Sequence, residues 1–190
     1  MVQEKTSKVP LSEGYLVADS KKCAGYIACM LACSLVHDGK TSPSLSRIQI
    51  VQDTWECFPG DINLAICRQC VSLECVEGCP TGALYVDEAN VNIRRVDESL
   101  CNGCQVCVDA FPYKPSRVIW NPDKNITTKC DLCLKAPYWR EKGGPYGQQA
   151  CVEVCPMRAT KLVREVPEEA TGYEVNLRNE HWGWLGFSTD

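Results

Sequence analysis

The chain has 190 residues, 23% of them charged, and a formal net charge of −4. That acidity, with no basic stripe along it, excludes the electrostatic footprint of a nucleic-acid binder, and no stretch reaches the roughly twenty apolar residues that span a bilayer. The unusual quantity is cysteine, 15 residues in 190, a density that approaches that of disulfide scaffolds.

In chain order, the first predicted element is an apolar strand, Tyr15 to Ala18, followed by a cysteine group of Cys23, Cys29 and Cys33. Regular spacing puts a further cysteine at position 26, where the sequence has Tyr26. Cys57 stands alone beside Trp55, Phe58, Pro59 and Gly60. The second group is Cys67, Cys70, Cys75 and Cys79, closed by Pro80. Residues 81–86 and 91–94 read as strands joined by a polar turn at 87–90. The third group, Cys101, Cys104 and Cys107, ends in Phe111 and Pro112 where a cysteine and a proline are expected. The fourth is Cys130, Cys133, Cys151 and Cys155 with Pro156, opened in its middle by a segment containing Gly143, Gly144, Pro145 and Gly147. Strand patterns return at 159–164 and 173–177, and the apolar stretch Tyr15 to Ala18, which precedes the first cysteine group, is a candidate for strand pairing. Each closing proline is expected to end a short helix that carries the fourth cysteine, because it has no N–H for the next helical bond.

Disulfides are opposed by three features. The cysteine count is odd, the spacings are two and three residues, and Met1, Val2, Gln3, Glu4 and Lys5 begin no apolar secretory core. A cytoplasmic chain is the expectation. Zinc is the stronger alternative, since Cys130, Cys133, Cys151 and Cys155 alone fit a zinc ribbon. Three thiolates crowded into one turn, as at Cys101, Cys104 and Cys107, suit instead the face of an iron–sulfur cubane. In such repeats each cluster takes three thiolates from one group and the last from the partner group. Pairing the adjacent middle groups gives a complete site of Cys79, Cys101, Cys104 and Cys107, and a reciprocal site of Cys67, Cys70 and Cys75 that meets Phe111. The outer groups then give a complete site of Cys33, Cys130, Cys133 and Cys151, and an incomplete one of Cys23, Cys29 and Cys155 that lacks a ligand at Tyr26.

An iron without its thiolate tends to be lost, so the two incomplete sites hold [4Fe-4S], [3Fe-4S] or nothing. The expectation is three clusters, two at the complete sites and a third at an incomplete one. Cys57 is either a substitute ligand folding back to the second group or an ordinary buried thiol, the second being preferred. Nothing suggests a separate catalytic centre. Metal-held thiolates are occupied, and His37 and His181 read as surface or packing residues. Lys21, Lys22 and Lys129 are placed to offset cluster charge or to meet an acidic partner, with solvated side chains the preferred reading. The work implied is one-electron transfer.

The order of the groups, the run from Cys67 to Leu84 and the gap between Cys133 and Cys151 resemble the iron–sulfur electron-transfer subunits of molybdenum and tungsten oxidoreductases, over about residues 12–165. The resemblance implies an α+β fold of two ferredoxin-like units, with short helices and β-hairpins around the clusters. Residues 12–56 with 124–165 form the first unit and 57–123 the second, inserted in the first. It also implies a row of clusters leading to a larger molybdenum or tungsten catalytic subunit, with a soluble carrier such as ferredoxin or further electron-transfer subunits beyond. The phrase Cys29, Met30, Leu31, Ala32, Cys33, Ser34, Leu35, Val36, His37 is similar to the small subunits of tungsten enzymes of the aldehyde oxidoreductase type. Among these the nearest is the iron–sulfur subunit of the ATP-independent benzoyl-CoA reductase of anaerobes. A hydrogenase or carbon monoxide dehydrogenase partner is the nearest variant, and a structural zinc module the alternative of a different class. Residues 166–190, with His181, Trp182, Trp184, Leu185 and Phe187, are expected to dock on the catalytic partner, with packing back on the chain's own domain the equal alternative.

Overall fold

The computed structural model describes residues 10–57, 60–70 and 74–165. The strand expected at 173–177 and the docking tail lie outside these residues. Eight four-residue strands and four helices alternate along the described chain: β1 (Tyr15–Ala18), α1 (Ala28–Asp38), β2 (Gln49–Gln52), β3 (Ile62–Ala65), α2 (Glu74–Glu77), β4 (Leu84–Asp87), β5 (Ile93–Val96), α3 (Val106–Asp109), β6 (Val118–Asn121), β7 (Ile126–Lys129), α4 (Ala150–Glu153) and β8 (Thr160–Val163). Short 3-10 turns occupy Pro43–Leu45 and Glu88–Asn90.

The strands form antiparallel pairs, β2 with β3, β4 with β5, β6 with β7, and β1 with β8. The last pair joins the two ends of the described chain, with Tyr15 opposite Val163 and Ala18 opposite Thr160. The β4–β5 hairpin falls where the strand–turn–strand pattern lies, with Leu84 opposite Val96. Isolated two-stranded ribbons are marginal in water, so these pairs must lean on a shared core. That core mixes aliphatics with thiols: Leu16, Ile48, Leu64, Ile66, Ile93 and Leu132 pack with Cys33, Cys67, Cys130 and Cys151. Among the described residues no helix is long and apolar enough to cross a membrane.

The helices correct one expectation. The one-turn helices carry the third cysteine of a group, Cys75 in α2, Cys107 in α3 and Cys151 in α4, while Cys79 and Cys155 fall in the turn beyond. The cause is local. A residue that precedes proline is pushed out of the helical region, so each helix ends short of the position before Pro80 or Pro156. No proline follows Cys33, and α1 therefore runs for 11 residues. It stops at Gly39, whose left-handed backbone (φ 68) lets its N–H reach the Leu35 carbonyl.

Candidate iron–sulfur sites

The four cysteine loops share one backbone feature. The residue two positions after the first cysteine is left-handed in every group: Gly25 (φ 69), Gln69 (φ 46), Gly103 (φ 74) and Leu132 (φ 58). A left-handed step within a turn points successive backbone N–H groups into a concavity, the kind of nest that receives sulfur-rich anionic clusters. At Gly103 the requirement is strict, because a Cβ there would lie 2.5 Å from the Asn125 carbonyl oxygen. Both incomplete groups keep the feature.

Four sets of thiols result. Cys33, Cys130, Cys133 and Cys151 are all buried. Burial, with the neighbouring Cys33 and Asp131 adding to it, pushes the Cys133 thiol up to about 12. The Cys151 thiol is raised by burial and then by Cys133, Cys130 and Cys33. Cys79, Cys101, Cys104 and Cys107 make the second full set; burial raises the Cys107 thiol, and the other three add to the effect. Hydroxyls meet this set, Thr127 Oγ1 at 3.5 Å from Cys101 Sγ and Thr81 Oγ1 at 3.6 Å from Cys79 Sγ. The raised thiols Cys133, Cys151 and Cys107 hold their protons more tightly than a free thiol, so loading a metal centre must displace those protons.

The two sets of three are built differently. At the first, burial lifts the Cys29 thiol to about 11, helped by Cys23 and Cys155. Tyr26 is 64% exposed and, with Ile27 and Met157, lines an apolar cleft among those three thiols. At the other, Cys67, Cys70 and Cys75 are accompanied by Lys129. That lysine is only 3% exposed, which corrects the expectation of a solvated side chain. Its ammonium is held in the charged form against burial by Cys67 and Cys75, with a hydrogen bond to Cys67. The Arg94 guanidinium lies beside the same thiols and donates from Nε to the Cys70 carbonyl at 3.0 Å. Phe111 is buried in one cluster with Leu84, Cys107 and Val118, against which Cys75 and Cys79 pack.

The sets follow one another. Cys151 feels Cys29 of the first three-thiol set. Cys130 feels Cys67 of the second, and Cys75 packs against the apolar cluster that holds Cys107 and Phe111 and is also met by Cys79. Among the described residues no three His, Cys, Asp or Glu side chains stand close enough to hold a single metal ion. Lys22 is exposed and pairs with Asp19 at 3.2 Å.

Sequence reasoning missed His37. It is buried, its Nε2 lies 3.0 Å from Asp131 Oδ1, and its Nδ1 lies 2.8 Å from the Cys33 carbonyl oxygen. The available signal was spacing: Cys29, Cys33 and His37 succeed one another by four, one stripe of a helix. Cys57 corrects the opposite error. It is exposed rather than buried, because it sits in the turn between β2 and β3, where its carbonyl accepts from the Gly60 N–H at 2.9 Å. Cys57→Ser is therefore expected to leave iron and sulfide content per chain unchanged, measured colorimetrically on anaerobically purified protein. A loss of iron would restore the substitute-ligand reading.

Comparison with known proteins adds the following. Residues 55–165 match a family described as a 4Fe-4S dicluster domain. The putative electron transport protein YsaA of Escherichia coli K12 is 31% identical over 156 residues, covering 78% of this chain and 88% of that protein. The thiosulfate reductase electron transfer subunit PhsB of Salmonella typhi is 34% identical, covering 78% and 74%. The polyferredoxin-like subunit of the aliphatic sulfonate oxidoreductase of Pyrococcus furiosus is 37% identical, covering 74% and 70%. A solved active site complex, BamBC of benzoyl-CoA reductase with benzoyl-CoA, aligns over 83% of each chain at 22% identity with a TM-score of 0.43, a likeness too distant to bear on function.

Proposed function

Because the chain belongs to the 4Fe-4S dicluster family, we propose that it is the electron-transfer subunit of an oxidoreductase complex and holds iron–sulfur clusters in a row. The observation that carries the reading is the pair of four-thiol sets, each built on left-handed cysteine loops. The ligands are Cys33, Cys130, Cys133 and Cys151 at one site, and Cys79, Cys101, Cys104 and Cys107 at the other. The sets Cys23, Cys29, Cys155 and Cys67, Cys70, Cys75 keep the same loop conformation and give the third cluster its place. When bound, such clusters supply reversible one-electron transfer at potentials set by charge, hydrogen bonding and exposure.

The protein's own part is to position and to exclude. The loops aim thiols and N–H groups inward, the aliphatic core keeps water from Cys33, Cys130 and Cys151, and Lys129 and Arg94 offset thiolate charge beside Cys67 and Cys70. The architecture that accounts for the pairing is two ferredoxin-like units, 12–56 with 124–165 and the inserted 57–123. In this arrangement β1 and β8 close the outer unit and β4 with β5 belong to the inner one. The partner is a larger molybdenum or tungsten catalytic subunit, with a soluble carrier such as ferredoxin at the other end. The benzoyl-CoA reductase type rests on the sequence phrase from Cys29 to His37, and the tail 166–190 is assigned to docking on that partner.

The test is iron and acid-labile sulfide per chain on anaerobically purified protein, with EPR before and after dithionite reduction. About twelve irons fit three cubanes, and about eleven with an oxidised-state [3Fe-4S] signal put the third at an incomplete site. About eight leave only the complete sites filled. Zinc without sulfide overturns the reading in favour of a structural module.

A further inference from the structure

The two three-thiol sets differ in what surrounds them. Beside Cys67, Cys70 and Cys75 stand three buried guanidinium groups. Arg68 follows Cys67 in the chain, is 3% exposed, and has its guanidinium carbon 4.5 Å from the centroid of the Tyr113 ring. Arg117, 1% exposed, reaches the same ring at 5.9 Å. Arg94 is tied to the cysteine loop itself, its Nε donating to the Cys70 carbonyl at 3.0 Å and its backbone N–H to Gln69 Oε1 at 2.8 Å. A guanidinium keeps its charge in a protein, so these three are fixed cations whatever the state of Lys129 beside them. Against them stand the carboxylates of α2, Glu74, which is half-buried and acts on Cys75, and Glu77, which is exposed. The balance is positive. Burial works against the charge of Arg68 and Arg117, and negative charge at Cys67 and Cys70 works for it.

The cations near Cys23, Cys29 and Cys155 lie at the surface. Lys21 and Lys22 share an outer cleft with Cys23 and Asp61, and both are exposed. Asp19 accepts from the Lys21 backbone N–H and pairs with Lys22 at 3.2 Å. Arg158, beyond Cys155, is exposed as well. Salt screens such charges, while buried ones are screened much less. Asp61 adds to the effect of burial on the Cys23 thiol. The position that lacks a cysteine also differs: Tyr26 is 64% exposed and Phe111 8%.

Place along the row separates the two sets again. Cys67 acts on Cys130 of one four-thiol set, and Cys75 packs against the cluster that holds Cys107 of the other. Cys67, Cys70 and Cys75 therefore lie between the complete sets, whereas Cys29 meets the row at Cys151, toward one end. Electron tunnelling falls steeply with distance, so a centre in the middle joins the two complete sites and a centre at the end leaves them apart.

We propose that the third centre is held at Cys67, Cys70 and Cys75, with Arg68, Arg94 and Arg117 as positioning residues that favour an anionic cluster there, and that Cys23, Cys29 and Cys155 hold none. The inference rests on the reading of the chain as an iron–sulfur protein. A cluster on three thiolates is an anion and becomes more negative on reduction, so the fixed cations both retain it and raise its potential. Phe111 offers no donor atom, which makes this a three-iron centre.

The test is iron and sulfide per chain with an EPR-monitored redox titration, on the whole chain purified anaerobically. Wild type is expected to hold about eleven irons and an oxidised-state [3Fe-4S] signal. Cys70→Ala should lose that signal and about three irons, and Cys29→Ala should lose neither. Arg68→Gln should lower the potential of that signal alone by about tenfold in the reduction equilibrium, or about 59 mV for a one-electron couple, and Arg68→Lys should restore it. Loss of the signal from Cys29→Ala but not from Cys70→Ala overturns the inference. So does a wild type with about eight irons, in which neither set is filled. An unmoved potential in Arg68→Gln overturns the part given to the arginines. If Cys70→Ala does not fold, the Cys29→Ala result decides the placement. Zinc without sulfide would instead sink the iron–sulfur reading on which the inference rests.

Discussion

Cys33→Ala is expected to convert one filled site into a three-thiol site, with about one iron lost per chain, a new oxidised-state [3Fe-4S] signal and a clear drop in thermal stability. Cys79→Ala should produce the same spectroscopic change with a smaller drop. The two cysteines play equivalent parts in the proposed pairing, each reaching from one group to complete the set of another. Their settings differ. Cys33 is 5% exposed and sits in the main core beside Met30, Ile48 and Leu132, whereas Cys79 is half-buried in a satellite cluster.

Losing Cys33 also removes the acceptor for the Arg47 N–H and loosens the tie between α1 and residues 130–151. Binding free energy of a structural metal centre is folding free energy, so the core site should cost more when it is weakened. Scanning calorimetry would not give a clean two-state value for a cofactor-loaded chain. The measurement is therefore loss of visible absorbance on heating under argon, compared among wild type, Cys33→Ala and Cys79→Ala. Equal midpoints for the two variants would mean that burial of the thiol does not decide the outcome.

Much of the scaffold could be read from residue order because it is local. The β4–β5 hairpin announces itself by two apolar runs around a polar turn, and β1 and β8 by apolar runs flanking the outermost cysteine groups. The helix ends could have been placed correctly from the prolines, had their effect on the preceding residue been weighed above their missing N–H. What could not be read is what distance in sequence conceals. His37 and Asp131 are 94 positions apart, and Arg47 and Asp131 are 84 apart. Lys129 beside Cys130 is a visible candidate for offsetting cluster charge, but its place in the chain does not tell that its ammonium is buried against thiols from another group. The shared left-handed step is visible as glycine at positions 25 and 103 but hidden at Gln69 and Leu132, where the loop forces it on residues that do not favour it. The candidate thiol sets were thus legible as chemistry, while the charges that would tune them were not.

Those hidden charges make the set at Cys67, Cys70 and Cys75 the most informative place to alter. Phe111→Cys supplies a thiol at the position the pairing calls for, and the expected outcome is a gain of about one iron per chain if a [3Fe-4S] centre is present, or about four if the site is empty in the wild type. Any oxidised-state [3Fe-4S] signal from this site should disappear. The substitution is not free. Phe111 is buried in one cluster with Leu84, Cys107 and Val118 and meets Tyr113 edge-on, with ring centroids 5.7 Å apart, and truncating a buried phenylalanine costs about 3–5 kcal/mol. Phe111→Ala separates the two effects, since it creates the same cavity without a ligand. A fourth thiolate would also add negative charge beside Lys129 and Arg94, which already face these thiols, so the electrostatics favour the new ligand even where the packing does not. If Phe111→Cys and Phe111→Ala bind the same amount of iron and give the same spectrum, position 111 does not face the Cys67 site and the reciprocal pairing of the middle groups is wrong. A gain confined to the cysteine variant would fix the ligand set of both middle sites at once, because Cys79 and position 111 exchange roles across the same pair of loops.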